Sequence, residues 1–70
     1  METAQETNPL KRLRDEQMLS QRELAKLAGV AEATVFKIEK GQKARGFTLR
    51  KLAKALEVHP REFMDLKSDR

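Results

Sequence analysis

Apolar residues recur along the chain at intervals of three and four positions, which is the spacing of one face of an α-helix. The pattern is strongest from Leu19 to Ile38, where leucine, alanine, valine and isoleucine form two short periodic groups on either side of Gly29. No segment shows the pattern of a strand. The chain is therefore predicted to be all-α, with five short helices and short connections.

The first predicted helix starts at Pro9. Asn8 is a favourable N-cap residue, and proline is tolerated at the first helical position because its missing N–H would have no partner there. Leu10 and Leu13 give this helix one apolar face. We expect it to run to about Gln17.

The start of the second predicted helix carries the clearest local signal. Ser20 and Glu23 have the spacing of a capping box, in which each side chain binds a backbone N–H at the helix start. Leu19 and Leu24 flank the box as a hydrophobic staple. Gly29 is expected to end the helix, because the residue after a helix often adopts a positive φ.

The third predicted helix covers about residues 32–40, with Val35 and Ile38 facing inward and Gly41 as its stop. Its N-cap position falls on Ala31, which has no side-chain oxygen. A Ser or Thr cap usually contributes about 1 kcal/mol. The first N–H groups of this helix must therefore be served by water, by the preceding turn or by a phosphate.

Two further helices are predicted after a basic loop at residues 42–46. The fourth begins at Phe47–Thr48, and the fifth has Pro60 at its first position and fades near Leu66. The inward positions of the fourth helix are Leu49, Leu52, Ala53 and Leu56.

These elements define one compact domain at residues 8–66. Residues 1–7 are polar and without periodicity, so we expect a disordered lead-in, and we expect residues 67–70 to form a frayed tail. A chain of 70 residues is near the lower limit at which an apolar core alone sustains a fold.

The composition lacks the residues that metal, disulfide and catalytic sites need. There is no cysteine and a single histidine, His59, which excludes disulfides, thiolate sites and multi-histidine metal sites. His59 lies at a predicted helix start, where capping explains it better than catalysis. The sequence has no Ser–His–acid order and no glycine-rich phosphate loop. We predict that the protein is not an enzyme and has no metal, cofactor or small-molecule ligand.

The hydropathy pattern predicts no membrane partner. No apolar run approaches the roughly 18 residues of a membrane span, and no signal-peptide core follows Met1. The expected location is the cytoplasm, and the lack of cysteine fits a reducing compartment.

Positive charge is concentrated in the second half of the chain, whose formal net charge as a whole is +4. Residues 1–35 carry five Lys or Arg against six acidic residues, whereas residues 36–70 carry ten against five. Residues 36–54 alone carry seven against one. A basic stripe on a small domain favours a polyanion as partner, most often nucleic acid. A solvated lysine-rich surface is the alternative.

The spacing around the predicted turn is typical of a helix-turn-helix. Ala25 and Ala28 are small enough for two helices to cross closely, and Gly29 permits the tight turn. Val30 and Val35 then fill the angle between the helices, together with Ile38.

The chain resembles the phage repressor and Cro-type helix-turn-helix family, often called XRE-like. The resemblance rests on LSQRELAKLAGVAEATVFKIEKG followed by TLRKLAKALEVHPREF and covers about residues 10–64. It implies a five-helix, lambda-repressor-like domain that binds double-stranded operator DNA as a homodimer and regulates transcription. The third helix would lie in the major groove, and repression would follow from occupying a promoter.

The resemblance places base reading on Glu32, Ala33 and Lys37. Lys37 can donate to guanine, Glu32 can accept from cytosine N4, and Ala33 can touch a thymine methyl group. It implies a structural ion pair between Arg14 and Glu39. The remaining residues it implies are Gln21, Arg22, Thr34, Lys40, Lys43 and Arg45 for the DNA backbone and Pro60, Arg61 and Met64 for the dimer interface.

Several alternatives stay open at this point. Arg14 and Glu39 could be independent surface charges. Phe36 could press on a thymine methyl group or a sugar, or it could cover the stem of the basic loop, and we favour the second. The family often has a proline near Gly46–Phe47, so its absence leaves the path of the loop undecided. Two other functions fit the same fold: the antitoxin of a toxin–antitoxin pair, or a protein-interaction module that has lost DNA reading.

Overall fold

The computed structural model describes residues 8–68. The predicted all-α class is confirmed, and the strand-like pairing within residues 8–68 is limited to an isolated parallel bridge between Ala44 and Lys67. The elements in chain order are α1 (Pro9–Glu16), α2 (Gln21–Ala28), α3 (Glu32–Glu39), α4 (Gly46–Leu56) and a closing 3₁₀ segment (Pro60–Leu66).

Helices α1 and α2 begin with the local interactions that the sequence predicts. The Asn8 Oδ1 atom accepts from the backbone N–H of Leu10 at 2.8 Å. At α2, the Ser20 hydroxyl accepts from the Glu23 N–H at 3.0 Å, and the Glu23 carboxylate accepts from the Ser20 N–H at 2.8 Å. Gly29 follows α2 with φ of +74°, a left-handed conformation that glycine adopts without a steric penalty.

The inward faces of all the elements meet in one core. Helix α2 packs against both α3 and α4, and α4 also packs against the closing segment. Every inward residue predicted for the third and fourth helices is buried. The core residues are Leu10, Leu24, Ala25, Val35, Ile38, Leu49, Leu52, Ala53, Leu56, Phe63 and Leu66.

Helix α4 begins earlier than predicted. Its first residue is Gly46, and Arg45 holds the N-cap position without a side-chain hydrogen bond. Phe47 therefore lies inside the first turn, where it is 57% exposed, with the Lys51 ammonium 4.5 Å from its ring centroid. The ring therefore faces outward instead of packing against the core.

The closing segment is a 3₁₀ helix with a kink at Phe63 (φ −112°, ψ 19°), where the sequence predicts an ordinary helix. Side chains three positions apart lie on the same side of a 3₁₀ helix. This period lets both Phe63 and Leu66 enter the core. His59 caps the segment, as its Nδ1 atom accepts from the Arg61 N–H at 3.0 Å.

Lys67 and Ser68 are the part of the predicted frayed tail that the structure describes, and both are close to the basic loop. The Ala44 N–H donates to the Leu66 carbonyl at 2.9 Å, and the Ser68 N–H donates to the Ala44 carbonyl at 2.7 Å. Lys67 and Ser68 are therefore paired with the basic loop, a contact between segments more than 20 positions apart that no local pattern encodes. The predicted lead-in at residues 1–7 and the last two residues lie outside the described range.

Candidate nucleic-acid interface

Helix α3 has one buried face and one exposed face. Val35 and Ile38 are buried in the core at 0% and 2% exposure. The opposite side carries only exposed residues, and it includes all three predicted base readers. The exposed residues on this side are Glu32, Ala33, Phe36, Lys37 and Lys40. This exposed side is called the outer face of α3 below.

The start of α3 has no side-chain cap. Ala31 occupies the N-cap position with φ −72° and ψ 146°, and no side chain accepts from the first N–H groups. The Thr34 N–H reaches only the Ala31 carbonyl, at 3.0 Å. Free N–H groups and the helix dipole favour an anion at this end of α3, whereas the Glu32 carboxylate in the first turn opposes one.

The end of α3 is held by a bidentate ion pair with α1. The Arg14 Nε and Nη2 atoms donate to the two Glu39 carboxylate oxygens at 2.6 and 3.0 Å. The side chains of Arg14 and Glu39 are 11% and 5% exposed, so water competes weakly for either group. The hydrogen bond that Arg14 donates to Glu39 raises the pKa of Arg14, so the guanidinium stays charged. The geometry fixes the angle between α3 and α1.

Two further hydrogen bonds extend this pair to the start of α2. The Arg14 Nη1 atom donates to the Leu19 carbonyl at 2.6 Å. The Gln21 Nε2 atom donates to the Glu39 carboxylate at 2.9 Å. Gln21 is thus part of the network that orients α3, and one of its two amide protons remains for the DNA-backbone role that the sequence suggests.

The basic loop lies against the chain that follows the closing segment. The Lys43 ammonium donates to the Asp65 carbonyl, next to the backbone pairing of Ala44 with residues 66–68. Lys43 and Arg45 line an open cleft of about 440 Å³ together with Lys37 and the half-buried Thr34. Three cations from two segments, α3 and the basic loop, therefore line the same cleft.

A model of the helix-turn-helix family matches residues 10–63, from the start of α1 to the buried phenylalanine of the closing segment. The chain belongs to the XRE-type helix-turn-helix family. The family places the protein in the general class of DNA-binding transcriptional regulators. No curated protein and no solved structure was found to match the chain.

Within residues 8–68, no helix is long and apolar enough to cross a membrane. The same range contains no group of three or more His, Cys, Asp or Glu side chains arranged to hold a metal ion.

The remaining predicted site residues lie on several elements. Arg22 is exposed in the first turn of α2, one residue from Gln21. Lys40 follows α3 directly, and its ammonium lies 5.5 Å from the centroid of the Phe36 ring. The predicted dimer residues Pro60, Arg61 and Met64 form part of the lining of a separate cleft of about 240 Å³ beside α4.

Lys11 lies near the candidate interface, although the sequence did not predict it there. Lys11 of α1 lines a depression with Gln21, Phe36 and Lys40, although it lies more than 20 positions before the basic stripe. Its ammonium also contacts Asp15 at 2.9 Å, with both side chains about half exposed. The i, i+4 spacing predicts only that intrahelical pair. The fold alone brings Lys11 to α3.

Proposed function

We propose that the protein is a sequence-specific transcriptional repressor that binds a two-fold operator as a homodimer, with α3 in the major groove. The observation that carries the proposal is the outer face of α3, which is exposed along its whole length while the opposite face is buried. A helix of a small domain that presents such a face between cations is suited to enter the major groove.

Base discrimination is assigned to Glu32, Ala33 and Lys37. Lys37 offers three N–H donors to guanine O6 and N7, whereas Ala33 offers a methyl group to thymine. Glu32 accepts from cytosine N4 and repels phosphate. Its position therefore disfavours a complex in which α3 lies against the DNA phosphate backbone. All three side chains are exposed.

Phosphate contacts are assigned to the groups on either side of α3. Gln21 and Arg22 lie at the start of α2, where the free N–H groups and the helix dipole favour an anion. On the other side are Lys43 and Arg45, with Thr34 and Lys40 nearer the helix. A dimer that neutralises roughly 6–10 phosphates loses about 10³–10⁵ in affinity between 50 and 200 mM salt.

The dimer surface is assigned to the closing segment. Met64 is 64% exposed and lies with Pro60 and Arg61 at the mouth of the apolar cleft beside α4. A two-fold contact at this place would set the two copies of α3 one turn of B-DNA apart, about 34 Å.

The experiment that tests the proposal is selection of binding sites from random duplex DNA with the whole chain. A palindromic site with half-sites about one helical turn apart is the expected result. Analytical ultracentrifugation of the protein with the selected duplex should show two copies per duplex. Failure to enrich any sequence would contradict sequence-specific binding.

A matched pair of substitutions separates base reading from backbone contact. Lys37→Ala should lower affinity for the selected site by a factor that corresponds to about 1–3 kcal/mol and relax the preference at one base pair. Arg45→Ala should weaken all sequences about equally and reduce the slope of log affinity against log salt by about one. Arg45 suits this comparison better than Lys43, which also binds the Asp65 carbonyl. Unchanged discrimination in Lys37→Ala would show that the base-reading face is assigned wrongly.

One surface, around Leu27 on α2, favours the alternative function of a protein-interaction module. Leu27 is 62% exposed on α2 and lines a shallow cleft with Leu19, Glu23 and Lys26. An antitoxin would use DNA and a protein surface together. If selection enriches no DNA sequence while Leu27→Asp abolishes a protein interaction, the interaction module replaces the repressor.

A further inference from the structure

Phe36 is an exposed aromatic residue that the packing of the domain does not explain. It is 49% exposed, and it belongs neither to the core nor to the partly buried residues packed against the core. The neighbouring residue Val35 is fully buried, so the helix does supply an inward position beside it. Within residues 8–68, the apolar ring on the outer face of α3 therefore lies outside the core, with the Lys40 ammonium beside it.

Helix geometry places Phe36 as close to the centre of the outer face as Lys37. Each residue of an α-helix is rotated by about 100° from the one before it. The direction opposite to the buried pair Val35 and Ile38 falls between Phe36 and Lys37, about 50° from each. If Lys37 reaches base edges in the major groove, Phe36 reaches the same groove on the other side of the helix axis.

The surrounding charge favours DNA over an apolar protein as the partner of this ring. Lys37 is the next residue, the Lys40 ammonium lies 5.5 Å from the ring centroid, and Lys11 lines the same depression as the ring. The carboxylate of Glu39 in that depression is neutralised by Arg14. An apolar ring within a set of cations fits a surface that has both phosphates and an apolar group.

The major groove has one such apolar group, the C5-methyl group of thymine. We propose that Phe36 is a specificity-determining residue that contacts the C5-methyl group of a thymine in each half-site, one turn of α3 after Ala33. The proposal rests on the proposed function, since it requires α3 to lie in the major groove. It extends the predicted base readers by an apolar side chain that complements the cation of Lys37.

The test measures the affinity of the protein for its selected site before and after each thymine is replaced by deoxyuridine, which removes only the methyl group. For the native chain, replacement at one position of the half-site should weaken binding about fourfold, as expected for one buried methyl group. In Phe36→Ala the same replacement should change the affinity by less than twofold. A double-mutant cycle between the side chain and the methyl group therefore isolates the contact.

Three control variants separate methyl recognition from general effects. Phe36→Leu keeps an apolar side chain and should retain part of the difference between thymine and uracil. Arg45→Ala should weaken binding and leave that difference unchanged, because its contact is with the backbone. Leu27→Ala removes an apolar side chain of α2 that is 62% exposed, more than Phe36, and should change neither quantity.

The outcomes distinguish this inference from the function on which it rests. If Phe36→Ala lowers the affinity for thymine and uracil sites by the same factor, the methyl contact is wrong, while sequence-specific binding remains. The same conclusion follows if no thymine in the selected site responds to deoxyuridine. If selection enriches no sequence, both the proposed function and the methyl contact are overturned.

Discussion

The two ends of α3 are built in opposite ways. The start, at Ala31, has no side-chain cap and is exposed to solvent. The end, at Glu39, is held by three side-chain hydrogen bonds from Arg14 and Gln21, which belong to two other helices. Both ends belong to a helix of only eight residues. A helix this short has little stability of its own, so the tertiary contacts at one end determine its position.

This difference suits a helix that has to enter a groove. The network at the end of α3 is almost buried, so under the proposed function it would hold the helix at one angle before DNA binds. The start remains free to meet the partner, and the polar requirement of its first N–H groups is left to water or to phosphate. Local rules are often broken at sites shaped for a partner, while the rest of the fold obeys them.

The largest expected effect comes from breaking the network at the end of α3. Arg14→Ala leaves the Glu39 carboxylate buried without its guanidinium partner, which typically costs about 3–5 kcal/mol. That is comparable with the whole stability of a domain of this size. Urea unfolding followed by circular dichroism should therefore show a large fall in the free energy of unfolding, or a chain that is unfolded without urea.

Two control variants make the Arg14 prediction specific. Arg12→Ala removes a cation from the exposed side of the same helix, where its contact to Glu16 is 3.4 Å long, and should change stability by less than about 0.5 kcal/mol. The double substitution Arg14→Met with Glu39→Met removes both charges and should recover much of the loss. Equal stability of Arg14→Ala and Arg12→Ala would show that the network does not hold α3.

A smaller effect is expected from supplying the missing cap at the start of α3. Ala31 already has the extended conformation of an N-cap residue, close to that of Ser20 at the start of α2. Ala31→Ser should therefore raise the free energy of unfolding by about 1 kcal/mol without rearranging the turn. Thermal and urea unfolding both measure this gain.

The control for the cap lies two residues further along the helix. Ala33→Ser introduces the same hydroxyl inside the first turn, where it cannot cap, and should be neutral or slightly destabilising. Ser20→Ala is the reciprocal change and should lower stability by about the amount that Ala31→Ser adds. A cap at residue 31 without any gain would mean that the preceding turn already satisfies the first N–H groups.

The smallest expected effect concerns the pairing of the basic loop with the chain after the closing segment. Ser68→Pro removes the N–H that donates to the Ala44 carbonyl. Lys67 already has the extended conformation (φ −79°, ψ 137°) that a following proline requires, so the backbone there need not change. The loss of this hydrogen bond between two half-buried residues should lower stability by about 0.5–1 kcal/mol.

The local readout of this pairing is hydrogen exchange. The Ala44 amide, which donates to the Leu66 carbonyl, should exchange faster in Ser68→Pro than in the native chain. Ser68→Ala keeps the backbone N–H and serves as the matched control. Unchanged exchange of the Ala44 amide in Ser68→Pro would mean that the two hydrogen bonds of the pairing form independently.

The sequence predicted well where the interacting groups lie a few residues apart. The capping box of Ser20 and Glu23, the Asn8 cap and the left-handed Gly29 all involve partners within four positions, so the order of residues specifies them. The inward face of α4 follows equally from its 3.6-residue period. The all-α class could be predicted for the same reason, whereas the family was predicted from the resemblance over residues 10–64.

The sequence predicted least well the features that depend on contacts between residues far apart in the chain. The early start of α4 at Gly46 and the 3₁₀ geometry around Phe63 depend on how the loop and the closing segment pack. Lys11 approaches the site only because α1 lies against α3. The residue order contains no periodic signal for such contacts.

The sequence by itself determined where most helices begin and end and which faces they bury, because capping and periodicity act within one or two turns. The tertiary structure alone decided that Gln21 joins the network of Arg14 and Glu39 and that Ala44 pairs with residues 66–68. Those choices depend on distances between elements, which exist only once the core has formed. The helices and their buried faces are therefore specified by neighbouring residues, whereas the position of α3 depends on contacts between elements that are distant in sequence.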